Sequence, residues 1–86
     1  MTKNDVIKRA REIFTLNTMS GYSKWRDTDY KFIAPANQEY VYQWLWDTGF
    51  HAIVLSHFDT NWAKNEIRNF LKAQGTDGFL PHIIFW

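Results

Sequence analysis

From Asp5 to about Met19, apolar residues return at helical spacing, at Val6, Ile7, Ala10, Ile13 and Phe14, with Lys8, Arg9, Arg11 and Glu12 between them. The spacing predicts a surface helix with one buried stripe. Thr2 or Asn4 can cap its start by accepting from free backbone N–H groups, and Asp5 suits the positive end of the helix dipole. Gly21 then offers a place to turn. Between Ser20 and Gln38 no sustained period survives among Gly, Pro, Asn and Asp, although Tyr22, Trp25, Tyr30 and Phe32 lie there. The segment reads as a long ordered loop, and a loop of that length either has a job or signals a misread element.

From about Trp44 to Phe58 the chain is apolar all round, at Trp44, Leu45, Trp46, Phe50, Ala52, Ile53, Val54, Leu55 and Phe58. A helix of that kind is expected to be surrounded on every side. Asp59 can cap a third helix running to about Gln74, with Ala63, Ile67, Phe70, Leu71 and Gln74 inward and Lys64, Glu66, Arg68 and Lys72 outward. The remainder is a turn cluster, Gly75-Thr76-Asp77-Gly78, in which Gly78 can take positive φ, followed by an apolar run without polar closure. A fully buried helix joined by a short connection to a half-exposed one is the inner and outer pair of a double-layered helical barrel. The pattern therefore predicts an all-α chain of about one such hairpin plus an entry helix, residues 1–86 forming a single partial domain.

Composition sharpens this picture. Five tryptophans, four tyrosines and seven phenylalanines occur in 86 residues, and each large ring buries roughly 150–250 Å². A lone three-helix unit is too small to cover them. The net charge is only +1, with both signs interspersed, which argues against nucleic acid or an anionic membrane as a partner. There are no cysteines, so neither disulfides nor thiolate metal sites are available. The start carries no apolar signal segment and the longest apolar run is far short of a bilayer span, so a cytoplasmic protein is expected.

Candidate chemistry is sparse. Asp47 sits in the apolar stretch Gln43-Trp44-Leu45-Trp46-Asp47-Thr48-Gly49-Phe50-His51, where an unpaired carboxylate is costly. It either caps the following helix, with Thr48 and Gly49 as its first positions, or serves a site, and His51 four residues on can bond to it. Trp44 and Trp46 are core rings or platforms for a sugar's C–H face. His51, His57 and His82 lack the spacing of a helical zinc motif, so no metal is expected. Asp59, Glu66, Asp27 and Asp29 read as solvated or capping acids.

The run Tyr42 to His51, with its W-D-(S/T)-x-F-H block, followed by Asp77-Gly78-Phe79-Leu80-Pro81-His82, with its D-G-(F/M)-(L/I)-P-H block, resembles the first barrel helices of the mannosylglycerate-hydrolase-like glycosidases. The resemblance spans Tyr40 to Trp86. It implies an (α/α)₆ barrel, kinship with trehalases and processing α-glucosidases, and cleavage of α-linked glucosides or mannosides by inversion without a cofactor. It also implies that Asp47 grips sugar hydroxyls, that Trp46 and Tyr42 shape the wall, and that His82 and Trp86 lie near the cavity mouth. The general acid and base are expected outside these residues, so no catalytic residue is assigned and the chain is expected to be inactive alone. Two other readings follow from the aromatic surplus alone: a small carbohydrate-binding module, or an oligomer that pools its apolar surface.

Overall fold

The computed structural model describes all of residues 1–86. Helix α1 spans Lys3–Leu16. Its start is a capping box in which the Thr2 hydroxyl accepts from the Asp5 N–H and the Asp5 carboxylate accepts from the Thr2 N–H. These bonds stabilise the ionised form and hold the Asp5 carboxyl below its ordinary value of 3.8. A carboxyl with a lowered native pKa adds stability that is present above the unfolded value and lost as pH falls through the native one. Asp5→Asn is therefore expected to remove part of the acid-side loss of α1 helicity in a circular-dichroism pH titration. An unchanged titration would mean that the box contributes nothing in solution.

The segment expected to be a loop is mostly a hairpin. Strand β1, Thr18–Ser23, pairs antiparallel with β2, Thr28–Ile33, in a register that sets Thr18 opposite Ile33 and Ser23 opposite Thr28. The chain turns at residues 24–27, where Asp27 takes a φ of 54° and accepts from the Tyr22 hydroxyl. That bond to a carboxylate raises the Tyr22 pKa above its usual 10.0. Gly21 is not the turn. It faces Tyr30 across the ladder, and a Cβ there would sit 2.8 Å from the Tyr30 hydroxyl, so any larger residue would have to displace the ring.

A second, shorter ribbon pairs β3, Gln43–Trp44, with β4, Ile83–Ile84, again antiparallel. Directly after β3 comes helix α2, Leu45–Leu55, and after a tight connection helix α3, Thr60–Leu71. Asp59 caps α3, accepting from Trp62 N–H at 3.1 Å, and Gly78 has a φ of 91° in the turn before β4, both as expected.

The architecture is thus three helices with two antiparallel two-stranded ribbons, which overturns the all-α expectation and, with it, the reading of the chain as hairpins of an (α/α)₆ barrel. The strand signal in β2 is a true alternation: Thr28, Tyr30 and Phe32 turn inward while Asp29 and Lys31 face solvent. It is only six residues long, and its partner carries serines and a glycine.

The core gathers Ile33, Leu55 and Ala63, with Phe14, Phe58 and Trp62 packed around them. Helix α3 does not bury the stripe its apolar residues suggest. Ala63, Glu66, Asn69 and Phe70 are buried, whereas Ile67 and Leu71 are exposed. The neighbour explains the rotation, because α3 lies along the free edge of β2, whose unpaired N–H groups require acceptors. Glu66 Oε1 accepts from Ile33 N at 3.0 Å and Asn69 Oδ1 accepts from Lys31 N at 3.0 Å. His51 Nδ1 closes on Glu66 Oε2 at 3.2 Å.

Nor is α2 surrounded on every side. Thr48, Ala52 and Leu55 are buried, but Trp46, Phe50 and Ile53 are 71%, 64% and 61% exposed and form a stripe on the opposite face. The accessible surface of 6137 Å² exceeds the roughly 5,400 Å² typical of a compact monomer of this mass. The radius of gyration of 13.4 Å similarly exceeds the value of about 12 Å for a compact domain of this length. No helix is long and apolar enough to cross a membrane.

Candidate functional site

The β3–β4 ribbon and the first turn of α2 organise the residues singled out in the sequence. Because side chains alternate across a ribbon, Tyr42 and Trp44 share one face with Ile83 and Phe85, while Gln43 shares the other with Ile84 and Trp86. On the first face Tyr42 meets Phe85 edge-on at 4.8 Å between centroids, and Tyr40 and Tyr42 both lie edge-on to Trp44, at 6.0 and 6.1 Å. On the second, Trp86 stacks on Tyr30 at 5.7 Å with an interplanar angle of 9°, and its indole N–H donates to Gln43 Oε1 at 2.9 Å.

Asp47 lies in the first turn of α2, half-buried, where the helix dipole favours its charge. It is not the cap. The N-cap is Trp44, which contributes no side-chain bond, and the Leu45 N–H is held instead by the His82 carbonyl at 2.8 Å. Nor does Asp47 bond to His51, whose Nδ1 is given to Glu66. The Asp47 carboxylate is therefore left free of the chain's own hydrogen bonds, one residue after the exposed Trp46 ring.

The geometry brings some of the expected site together. Tyr42 and Trp86 both line a cavity of about 220 Å³ walled by Met19, Tyr30, Phe32 and Val41. Trp46, Asp47 and His82 do not line it; they cluster at the start of α2, His82 by its backbone bond to Leu45. A polar groove of about 280 Å³ between β2 and α3, with Lys31, Arg68 and Lys72 among its walls, holds none of the five.

Sequence reasoning missed the polar residues that fix this arrangement. Gln43 is fully buried and donates through Nε2 to Thr48 Oγ1 at 3.0 Å, while its Oε1 also accepts from Asn69 Nδ2 at 2.9 Å. Glu66, read as an outward-facing acid, is buried against β2. Arg26, in the β1–β2 turn, lies over the Trp25 and Trp86 rings at 4.2 and 5.6 Å. The available signal was the flanking of Gln43 by aromatic residues, since an amide amid apolar rings must find partners.

Comparison with known proteins supplies the family. A family model described as the mannosylglycerate hydrolase MGH1-like glycoside hydrolase domain matches residues 40–86, which include β3, α2, α3, β4 and all five candidate residues. The chain belongs to that glycoside hydrolase family. It is 30% identical over 83 residues to mannosylglycerate hydrolase MGH1 of Selaginella moellendorffii, covering 96% of this chain and 15% of that protein. It is 46% identical over 55 residues to a mannosylglycerate hydrolase of Thermus thermophilus, covering 63% of this chain and 13% of that protein. A mannosylglycerate hydrolase of Rubrobacter radiotolerans is 26% identical over 81 residues, 94% of this chain and 16% of that protein. The chain thus spans about 15% of the length of the curated relatives it matches. No solved structure matches it.

Proposed function

We propose that these residues are the sugar-gripping part of a larger glycoside hydrolase acting on α-linked glucosides or mannosides, with mannosylglycerate the first substrate to test. The observation that carries this reading is the family match over residues 40–86, combined with a half-buried Asp47 carboxylate that the chain's own hydrogen bonds leave free. In the proposed complex Asp47 accepts from sugar hydroxyls and the Trp46 ring lies under the sugar's C–H face with His82 beside them, while Tyr42 and Trp86 bound the site from the adjoining aromatic cavity. Aromatic platforms suit a pyranose because its axial C–H bonds meet the negative face of the ring.

Hydrolysis of a glycosidic bond takes two carboxyl groups across the sugar, one as acid and one as base or nucleophile. Asp47 is given a binding role here, and Glu66 is committed to Ile33 N–H and His51. The family resemblance implies that the acid and base of the proposed enzyme lie outside these residues, and the 86 residues alone are expected to be inactive. Beside the Trp46 platform, the exposed Phe50 and Ile53 side chains fit burial against further chain, since uncovered apolar surface is unfavourable in water. A cytoplasmic location belongs to the same proposal.

The test is to express the reading frame extended past Trp86 and assay it on mannosylglycerate, glucosylglycerate, trehalose and short α-glucosides. Hydrolysis of at least one, with inversion at the anomeric carbon, is the expected result. An extended protein that folds and cleaves none of them would overturn the assignment.

A further inference from the structure

We propose that Gln43 is a positioning residue for the sugar site: it holds the first turn of α2, and with it Trp46 and Asp47, in register with the rest of the chain. The inference rests on the reading of Trp46 and Asp47 as sugar-binding residues. A primary amide has two donors and two acceptor sites, and burying it among rings is costly unless they are used. Gln43 donates to Thr48 Oγ1 at 3.0 Å and accepts from Asn69 Nδ2 and Trp86 Nε1, each at 2.9 Å. Asn69 carries the connection on to β2 by accepting from Lys31 N at 3.0 Å. One side chain thereby ties together α2, α3, through Asn69 the edge of the β1–β2 hairpin, and Trp86, two residues past β4.

The consequence falls on α2 because its N-terminus has no side-chain cap. Two bonds hold its first turn to the rest of the chain: the Leu45 N–H to the His82 carbonyl, and the Thr48 hydroxyl to Gln43. Trp46 and Asp47 lie between these two fixed points. With the bond at Thr48 lost, the turn is anchored at one end only, and the carboxylate samples orientations that cannot all meet the same hydroxyls. Thr48 also fills the Ser/Thr position of the W-D-(S/T)-x-F-H block, and either residue there supplies a hydroxyl that can accept this bond.

Two replacements separate positioning from packing. Gln43→Met fills a similar volume with no hydrogen-bonding partner for Thr48, Asn69 or Trp86. Gln43→Glu keeps acceptors for Asn69 and Trp86, and the Thr48 hydroxyl can rotate to donate to it. If Gln43 only fills space, methionine is the better substitute and the buried charge of glutamate the worse. If it positions, glutamate rescues and methionine does not.

The experiment uses the ¹⁵N-labelled 86-residue chain, reading hydrogen exchange at the Trp86 indole and across the first turn of α2, where Leu45 and Thr48 carry the bonded amides, together with shift changes on addition of mannosylglycerate. Gln43→Met is expected to speed exchange at those positions about tenfold, the equivalent of one lost hydrogen bond, and to weaken any mannosylglycerate response at Trp46 and Asp47. Gln43→Glu is expected to restore both in part. Wild-type exchange in Gln43→Met, or a methionine variant closer to wild type than the glutamate one, would overturn the proposal. Should both variants fail to fold, Thr48→Val, which cuts only the bond to α2, decides the matter: faster exchange confined to residues 45–48 supports positioning, and unchanged exchange refutes it. The exchange comparison decides the role of Gln43 whatever the response to mannosylglycerate, and the substrate reading is tested separately in the protein extended past Trp86.

Discussion

Replacing Glu66 by alanine is expected to cost on the order of 3 kcal/mol, from a buried donor left without its acceptor, about 1–3 kcal/mol, together with the void that truncation opens. Glu66 is 2% exposed, and its carboxylate accepts from the N–H of the core residue Ile33 while facing His51 Nδ1. Truncation strands the backbone donor, leaves His51 without its partner, and opens a void between α3 and β2. A domain of this length has a total stability of about 4–13 kcal/mol, and the excess exposed apolar surface argues for the lower part of that range, so the variant should be at the edge of unfolding. Glu66→Gln should lose much less, because an amide oxygen still accepts from Ile33 N–H. Urea denaturation of the three proteins checks the ordering. A loss below about 1 kcal/mol for alanine, the size of a surface change, would mean that the α3–β2 contact does not hold the hairpin.

The second large effect concerns function. Asp47→Ala in the extended protein is expected to lower kcat/KM for its glycoside by on the order of a hundredfold or more, since hydrogen bonds to a charged acceptor are worth about 1.5–3 kcal/mol each and a carboxylate gripping a sugar makes two. Stability should change little. Asp47 contributes no hydrogen bond to the fold and its place in the first turn of α2 is worth only its interaction with the helix dipole, about 0.3–1 kcal/mol. The contrast with Glu66 separates an acid that holds the fold from one proposed to hold the sugar.

These two acids also show where the sequence was legible. All three helices were visible, because their apolar periods are long enough to stand out, and both the cap at Asp59 and the positive φ of Gly78 follow from local chemistry. The hairpin was not. Its alternation spans only Thr28 to Phe32 on one strand, and its partner strand, Thr-Met-Ser-Gly-Tyr-Ser, has no apolar period at all. The two-residue strands β3 and β4 lie forty residues apart and leave no periodic signal.

The same limit misled the reading of α3. Its apolar residues suggested that Ile67 and Leu71 face the core, whereas the helix turns Glu66 and Asn69 toward the strand edge. Nothing local distinguishes a glutamate that will serve a strand's N–H from one that will face water, because the requirement is set by β2, more than thirty residues away in sequence. Similarly, Gln43 acquires its role only when Thr48, Asn69 and Trp86 converge on it. The short ordered blocks from Trp46 to His51 and from Asp77 to His82 carried the family on their own, yet the expectation of an all-helical barrel attached to them did not survive the two ribbons.

The most direct test of the central claim is kcat/KM for mannosylglycerate in the protein extended past Trp86, measured for the native sequence and for Asp47→Ala at matched thermal stability. Hydrolysis by the native protein and a loss on the order of a hundredfold or more in the variant are expected. Equal activity in the two would contradict a sugar-gripping role for Asp47, and a folded native protein inert toward mannosylglycerate and the other α-glycosides would contradict the assignment of these residues to a working glycosidase.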